Sequence, residues 1–93
     1  MRTIERSSAF RRDYKRELKG RHRAILNSEF LPVLESLSND DPLEPRYRDH
    51  EPTGNWSGYR ECHIKPDLLL IYRKRDAKTL RLARLGSHSE LFD

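Results

Sequence analysis

Three histidines, His50, His63 and His88, lie in the second half of this 93-residue chain, 13 and 25 residues apart. Imidazole titrates near pH ~6.5, so each can give or take a proton around neutrality. No HxH, HxxxH or CxxC pair accompanies them. Zinc sites usually contain at least one such close pair, so no metal is expected. Spacing leaves two readings open: independent structural histidines, or a set that converges in space. The lone Cys62 sits in a strand-like stretch and is expected to be a small core residue. His22, between Arg21 and Arg23, is expected to be solvated.

The elements that must position these groups come from a polar chain, with mean hydropathy −0.98 and net charge +4. Its 13 Leu, 4 Ile, 3 Phe and single Val lie just above the level of about 20% below which chain entropy wins. A folded single domain over residues 1–93, with one modest core, is expected. Residues 1–25 carry nine Lys/Arg against three Asp/Glu, and residues 57–93 carry eight against five. The intervening residues 26–56 carry two against seven. Basic segments at both ends suit a polyanionic partner such as RNA or the ribosome. One cysteine excludes an internal disulfide and suits a reducing cytoplasm. The N-terminus has no apolar run of the secretory kind, and Leu68–Ile71 is too short to span a membrane, so no membrane association is expected.

Residues 2–6 read as a first strand, followed by Ser7 or Ser8 as an N-cap. Phe10, Tyr14 and Leu18 fall on one helix face, and Gly20 is the expected stop. A second helix is expected over residues 21–37, with Ile25, Leu26, Phe30, Val33, Leu34 and Leu37 as its stripe. Pro32 should kink or break it. A loop over 38–45 then gives way to period-two patterning. Strands are expected over 46–50, 59–64, 68–73 and 79–85, with a turn over 51–57. The order β-α-α-β-β-β-β predicts an α+β fold: an antiparallel sheet with two N-terminal helices on one face.

Alternation sorts the strand residues. Cys62, Ile64, Leu80 and Leu82 suit the helix-covered face. Glu61, His63, Lys65, Arg81, Ala83 and Leu85 suit the other. That open face would carry His63, Lys65 and Arg81, with His50 and His88 at neighbouring strand ends. Trp56 is expected to pack over a sheet edge. Phe92 has two readings, stacking on an unpaired base or docking into the core.

The runs Tyr47-Arg48-Asp49-His50, Gly54-Asn55-Trp56-Ser57-Gly58-Tyr59-Arg60, His63-Ile64-Lys65-Pro66-Asp67, Leu70-Ile71-Tyr72 and Arg84 to Phe92 resemble the YafQ branch of the RelE-type bacterial toxins. The resemblance implies a RelE-like fold and a ribosome-dependent mRNA endoribonuclease in the bacterial cytoplasm. It also implies a cognate antitoxin, through which alone operator DNA would be bound. Carried over by position, it implies His50, His63, Asp67 and His88 as the polar centre and Phe92 as the terminal aromatic. Leu68 stands where close relatives often have tryptophan, and Thr53 where they commonly have leucine.

The implied chemistry suits these residue types. Metal-free RNA cleavage drives the 2′-hydroxyl onto the adjacent phosphorus. It needs a base, cations for the non-bridging oxygens and an acid for the leaving 5′-oxygen. His88 is the candidate acid, His50 and Asp67 the candidates for the nucleophile's proton, and His63 the group that orients or holds phosphate. Lys65 and Arg81 are electrostatic candidates from the face assignment. No cofactor is required. The alternative is a non-catalytic ribosome- or RNA-binding module.

Overall fold

The computed structural model describes residues 1–52, 54 and 56–92. Thr53 and Asn55, inside the turn expected over 51–57, lie outside the described residues, as does Asp93. Four strands form one sheet in the order β1-β4-β3-β2: β1 (Thr3–Arg6), β2 (Arg60–Lys65), β3 (Leu68–Asp76) and β4 (Thr79–Gly86). Strand β1 runs parallel to β4, and the other pairs are antiparallel, so the sheet is mixed.

Helix α1 (Ser8–Leu18) begins where expected. Ser7 is extended, and its Oγ accepts the Phe10 N–H at 2.9 Å, a cap worth about 1 kcal/mol. Phe10 is buried and Tyr14 half-buried, but Leu18 is 40% exposed. The helix does not end on a left-handed Gly20. Among the described glycines only Gly54 and Gly58 have positive φ. Instead the Lys19 and Gly20 N–H groups donate to the Arg16 and Glu17 carbonyls.

The second helical stretch does not break. Helix α2 (Arg23–Ile25) passes through a π turn (Leu26–Phe30) into α3 (Leu31–Ser38). Pro32 falls in the first turn of α3. A wider turn just before it makes room for a ring that a tighter helix would crowd. Phe10, Tyr14 and Phe30 then meet with ring centroids 5.8–6.1 Å apart.

The strand expected over 46–50 is absent. Pro45–Tyr47 form a 3₁₀ turn, and Arg48 is left-handed at φ 49°, which interrupts any extended run. Only His50 pairs, through a two-hydrogen-bond bridge with Glu61. A fourth helix, α4 (His88–Phe92), was not expected. Ser87 and Glu90 form its capping box: the Glu90 N–H donates to Ser87 Oγ at 3.2 Å, and the Ser87 N–H donates to Glu90 Oε1 at 2.8 Å.

Each sheet face carries an apolar cluster. Leu68, Leu70, Tyr72, Cys62, Leu80, Leu82 and Leu85 pack beneath α1 and α3. Leu69, Ile71, Ala83 and Leu91 form a second cluster, with Trp56, Tyr59 and Phe92 packed against it. Leu85 therefore lies under the helices, not on the open face with Arg81 and Ala83. Tyr72 pairs with Leu82 while Ile71 pairs with Arg84, so one extra residue bulges at Ala83 and reverses the alternation.

Strand β1 ends at Arg6, leaving the last residues of β4 without a strand on that side. Side chains of α1 and its cap cover this edge. Ser7 Oγ donates to the Ala83 carbonyl at 2.7 Å, the Leu85 N–H donates to Asp13 Oδ2 at 3.0 Å, and Arg16 donates to the Leu85 carbonyl at 2.8 Å. Buried Asp13 also accepts from Arg84 Nε at 2.7 Å and Arg16 Nη1 at 3.0 Å. Burial raises its pKa, but the Arg84 and Leu85 hydrogen bonds and both guanidiniums outweigh that and hold it below the usual carboxylate range. Gly86 follows directly. A Cβ there would meet the Arg16 guanidinium at 2.7 Å and the Glu90 carboxylate at 3.0 Å, so a larger residue would have to displace these side-chain ends.

Candidate functional site

His50 and His63 come together on β2. The bridge at Glu61 sets His50 beside it, and strand alternation sets His63 two residues on, on the same face. The Nε2 atoms of His50 and His63 lie 3.2 and 3.3 Å from Glu61 Oε1, and the two ring centroids are 5.8 Å apart. Glu61 is buried, His50 exposed and His63 half-buried. His50 Nδ1 is also bonded to the Arg48 carbonyl. His63 Nδ1 is buried without a hydrogen-bond partner among the described residues. Asp49, the residue before His50, accepts from Tyr72 Oη at 2.7 Å and Arg60 Nε at 3.1 Å.

Glu61 was not singled out as a site residue in the sequence. The signal was the Glu-x-His alternation at 61–63, which puts a carboxylate and an imidazole on one strand face. His50, Glu61 and His63 each bring a potential ligand atom within 4.8 Å of the others. Two imidazoles and a carboxylate suit zinc or copper. The expectation of no metal rested on sequence separation, and the cross-strand bridge removes that ground.

Asp67 and His88 lie at the same end of the sheet without touching this pair. Asp67 occupies the β2–β3 turn. His63 pairs with Leu69 and Leu69 with Gly86, so the three sit in one row across the sheet. With strands about 4.8 Å apart, the Gly86 backbone is roughly 10 Å from that of His63. His88 follows two residues later as the first residue of α4. It is exposed, and its ring centroid lies 4.8 Å from that of Phe92. Phe92 is half-buried against the second cluster, so the terminal aromatic is partly docked.

The Asp67 partners come from the helical side. Its Oδ1 lies 3.2 Å from His22 Nε2, and Oδ2 is paired with Arg21. Burial raises the Asp67 pKa, but the His22 hydrogen bond and the His22 and Arg21 charges hold it below the usual range. His22 is buried, not solvated as its basic neighbours suggested.

The two expected cations are already paired. A register shift between His63 and Lys65 turns Lys65 toward the π turn, where its Nζ lies 3.5 Å from Glu29. Lys65 and His63 still line one groove of about 180 Å³. Arg81 donates to Glu5 at 2.6 Å, five residues along β4 from Gly86. Arg48 and Arg73, by contrast, are exposed and have no ion-pair partner among the described residues; the Arg73 guanidinium sits 5.7 Å from the Tyr59 ring centroid. Cys62 is fully buried, and burial pushes its thiol pKa up, as suits a core residue.

Residues 2–93 match the family model described as "Bacterial toxin of type II toxin-antitoxin system, YafQ". The "mRNA interferase toxin YafQ" of Escherichia coli K12 is 41% identical over 91 residues, 98% of this chain and 96% of that one. The toxin–antitoxin complex DinJ–YafQ of E. coli superposes with a TM-score of 0.82 at 36% identity, covering 99% of this chain and 98% of that one. A metal-bound toxin from Helicobacter pylori gives a TM-score of 0.81 at 44% identity, covering 99% and 100%.

Proposed function

The chain belongs to the YafQ family of bacterial toxins of type II toxin–antitoxin systems, and from that membership we propose an mRNA endoribonuclease that acts on the translating ribosome and is silenced by a protein antitoxin. Residues 1–93 act as one toxin domain in the bacterial cytoplasm. The observation that carries this reading is the convergence of His50 and His63 on the buried Glu61 carboxylate, at 3.2 and 3.3 Å.

Cleavage begins with in-line attack of a 2′-hydroxyl on the adjacent phosphorus. A 2′,3′-cyclic phosphate forms as the bond to the 5′-oxygen breaks. The nucleophile's proton goes to the imidazole pair or to Asp67, and Glu61 offsets the charge that an imidazole gains. His88 protonates the leaving 5′-oxygen; its exposure leaves the ring free to meet substrate. Arg48 and Arg73 are the better candidates to hold non-bridging oxygens, because Lys65 and Arg81 already pair with carboxylates. Each proton-transfer role is typically worth about 10²–10⁴ in rate. Phe92 offers its exposed part for stacking beside His88.

The helical side supports the antitoxin part of this reading. A groove of about 540 Å³ between α1 and α3 is floored by Phe10, Tyr14, Phe30 and Leu34, with Arg6, Arg11 and Lys15 among its lining residues. Leu18 and Leu31, 40% and 48% exposed, also line it. An apolar floor with a basic rim fits an acidic amphipathic helix.

Expression followed by primer extension on a translated message tests the proposal. New 5′-ends within codons are expected, and only on messages being translated. Stalled ribosomes without new ends would instead establish a non-catalytic binding module.

A further inference from the structure

His22 lies between two carboxylates. Its Nδ1 is 3.0 Å from Glu17 Oε1 and its Nε2 is 3.2 Å from Asp67 Oδ1. The side chains of His22 and Glu17 are each only 9% exposed, whereas that of Asp67 is 47% exposed. A carboxylate only accepts hydrogen bonds, so the ring satisfies both neighbours only when both nitrogens carry protons. A neutral ring would turn a lone pair toward one of the anions. A buried ion pair is weak evidence of a stabilising role, because desolvation offsets most of its attraction. The ring does link the end of α1, through Glu17, to the β2–β3 turn. The adjoining cavity, about 360 Å³, is lined by Arg16, Glu17, Gly20, Arg21, His22, Ser87 and Glu90, so it reaches the residue preceding His88.

We propose that His22 is a positioning residue of the cleavage site: as an imidazolium clasped by Glu17, it fixes the Asp67 carboxylate at the sheet end that carries His63 and His88. This rests on the reading that Asp67 takes part in cleavage. The charged groups facing His22 are Glu17 and Arg16 from α1, Arg21 beside it, Asp67 from the strand turn, and Glu90 from α4 across the cavity. A ring donating from Nδ1 to Glu17 and from Nε2 to Asp67 holds that carboxylate in one orientation.

The test is single-turnover cleavage of a ribosome-bound message by wild type, His22→Gln, Asp67→Asn and the double variant. His22→Gln should lower the maximal rate by roughly 10–100-fold, the usual effect of losing a supporting partner. The concentration of toxin giving half-maximal rate should be nearly unchanged. The double variant should cleave no more slowly than Asp67→Asn. Glu17→Gln, which leaves the His22–Asp67 contact in place but loosens the ring, should lower the maximal rate by a smaller factor. It carries the test if His22→Gln fails to fold. A slow Asp67→Asn alongside full-rate His22→Gln and full-rate Glu17→Gln would overturn the proposal alone, as would losses that multiply in the double variant. A wild-type protein that leaves the message intact, or an Asp67→Asn variant at full rate, would remove the parent reading and the proposal together.

Discussion

His88→Gln separates chemistry from folding most cleanly. His88 is exposed, and its described side-chain contact is with the Phe92 ring at 4.8 Å. Helix α4 is capped by Ser87 and Glu90, whose bonds do not involve the residue 88 side chain. Glutamine keeps helix propensity and much of the volume. The stability change should therefore stay within about 0.5 kcal/mol, as for most surface changes. For a chain of this length that is a shift in thermal midpoint of about 2–4 °C. Loss of a general acid should slow cleavage by about 10²–10⁴, or about 2.7–5.5 kcal/mol in activation free energy at 1.36 kcal/mol per tenfold. Primer extension in a single-turnover assay on programmed ribosomes measures the rate, and a circular dichroism melt and antitoxin titration measure the fold. Cleavage within about threefold of wild type, set against that range, would remove His88 from the chemistry. A large fall in midpoint with lost antitoxin binding would instead make its role structural.

Asp13→Ala should cost about 3–5 kcal/mol, because it leaves the Arg84 and Arg16 guanidiniums and the Leu85 N–H without their shared acceptor. A thermal midpoint within about 4 °C of wild type would contradict that. The folded-state pKa values of Asp13 and Asp67 are lowered, so their stabilisation is complete above the ordinary value near 3.8 and is lost as pH falls through the lower folded values. Acid melts should show a midpoint falling steeply below about pH 4, with a shallower fall in Asp13→Ala; a midpoint unchanged down to pH 2 would refute this. EDTA should leave cleavage intact, while added copper or zinc should inhibit it by occupying His50, Glu61 and His63. Titration calorimetry should find Glu61→Gln weakened toward the metal by at least the roughly 10–100-fold that loss of a supporting partner brings. Leu31→Asp, in the α1–α3 groove, should weaken antitoxin binding by about 30-fold, as expected of a hot spot worth about 2 kcal/mol, with cleavage unchanged. Equal affinity would place the antitoxin elsewhere.

The sequence by itself determined the elements whose cause is local. Ser7 caps α1 because its hydroxyl lies beside the first free N–H groups, β2 and β4 follow from largely alternating residues, and β3 from an unbroken apolar run, with turn residues between them. The four polar residues implied by resemblance were nameable from their motifs, and the histidines from their type. Local features also held a signal that was not read, the Ser87-x-x-Glu90 capping box, and the alternation that set Glu61 beside His63 was read without making Glu61 a site residue. Tertiary structure decided the rest. One extra residue at Ala83 moved Leu85 to the other face, and a register shift after His63 sent Lys65 to Glu29. The first is hinted at by the Leu80-Leu82-Leu85 spacing of two and then three, but where each bulge falls depends on how two strands pair. Which cations remain free, whether His22 is buried, and whether His50 meets His63 depend on residues 13 to 76 positions apart. A one-dimensional pattern records the distance between such residues along the chain, while their chemistry is set by the distance through space.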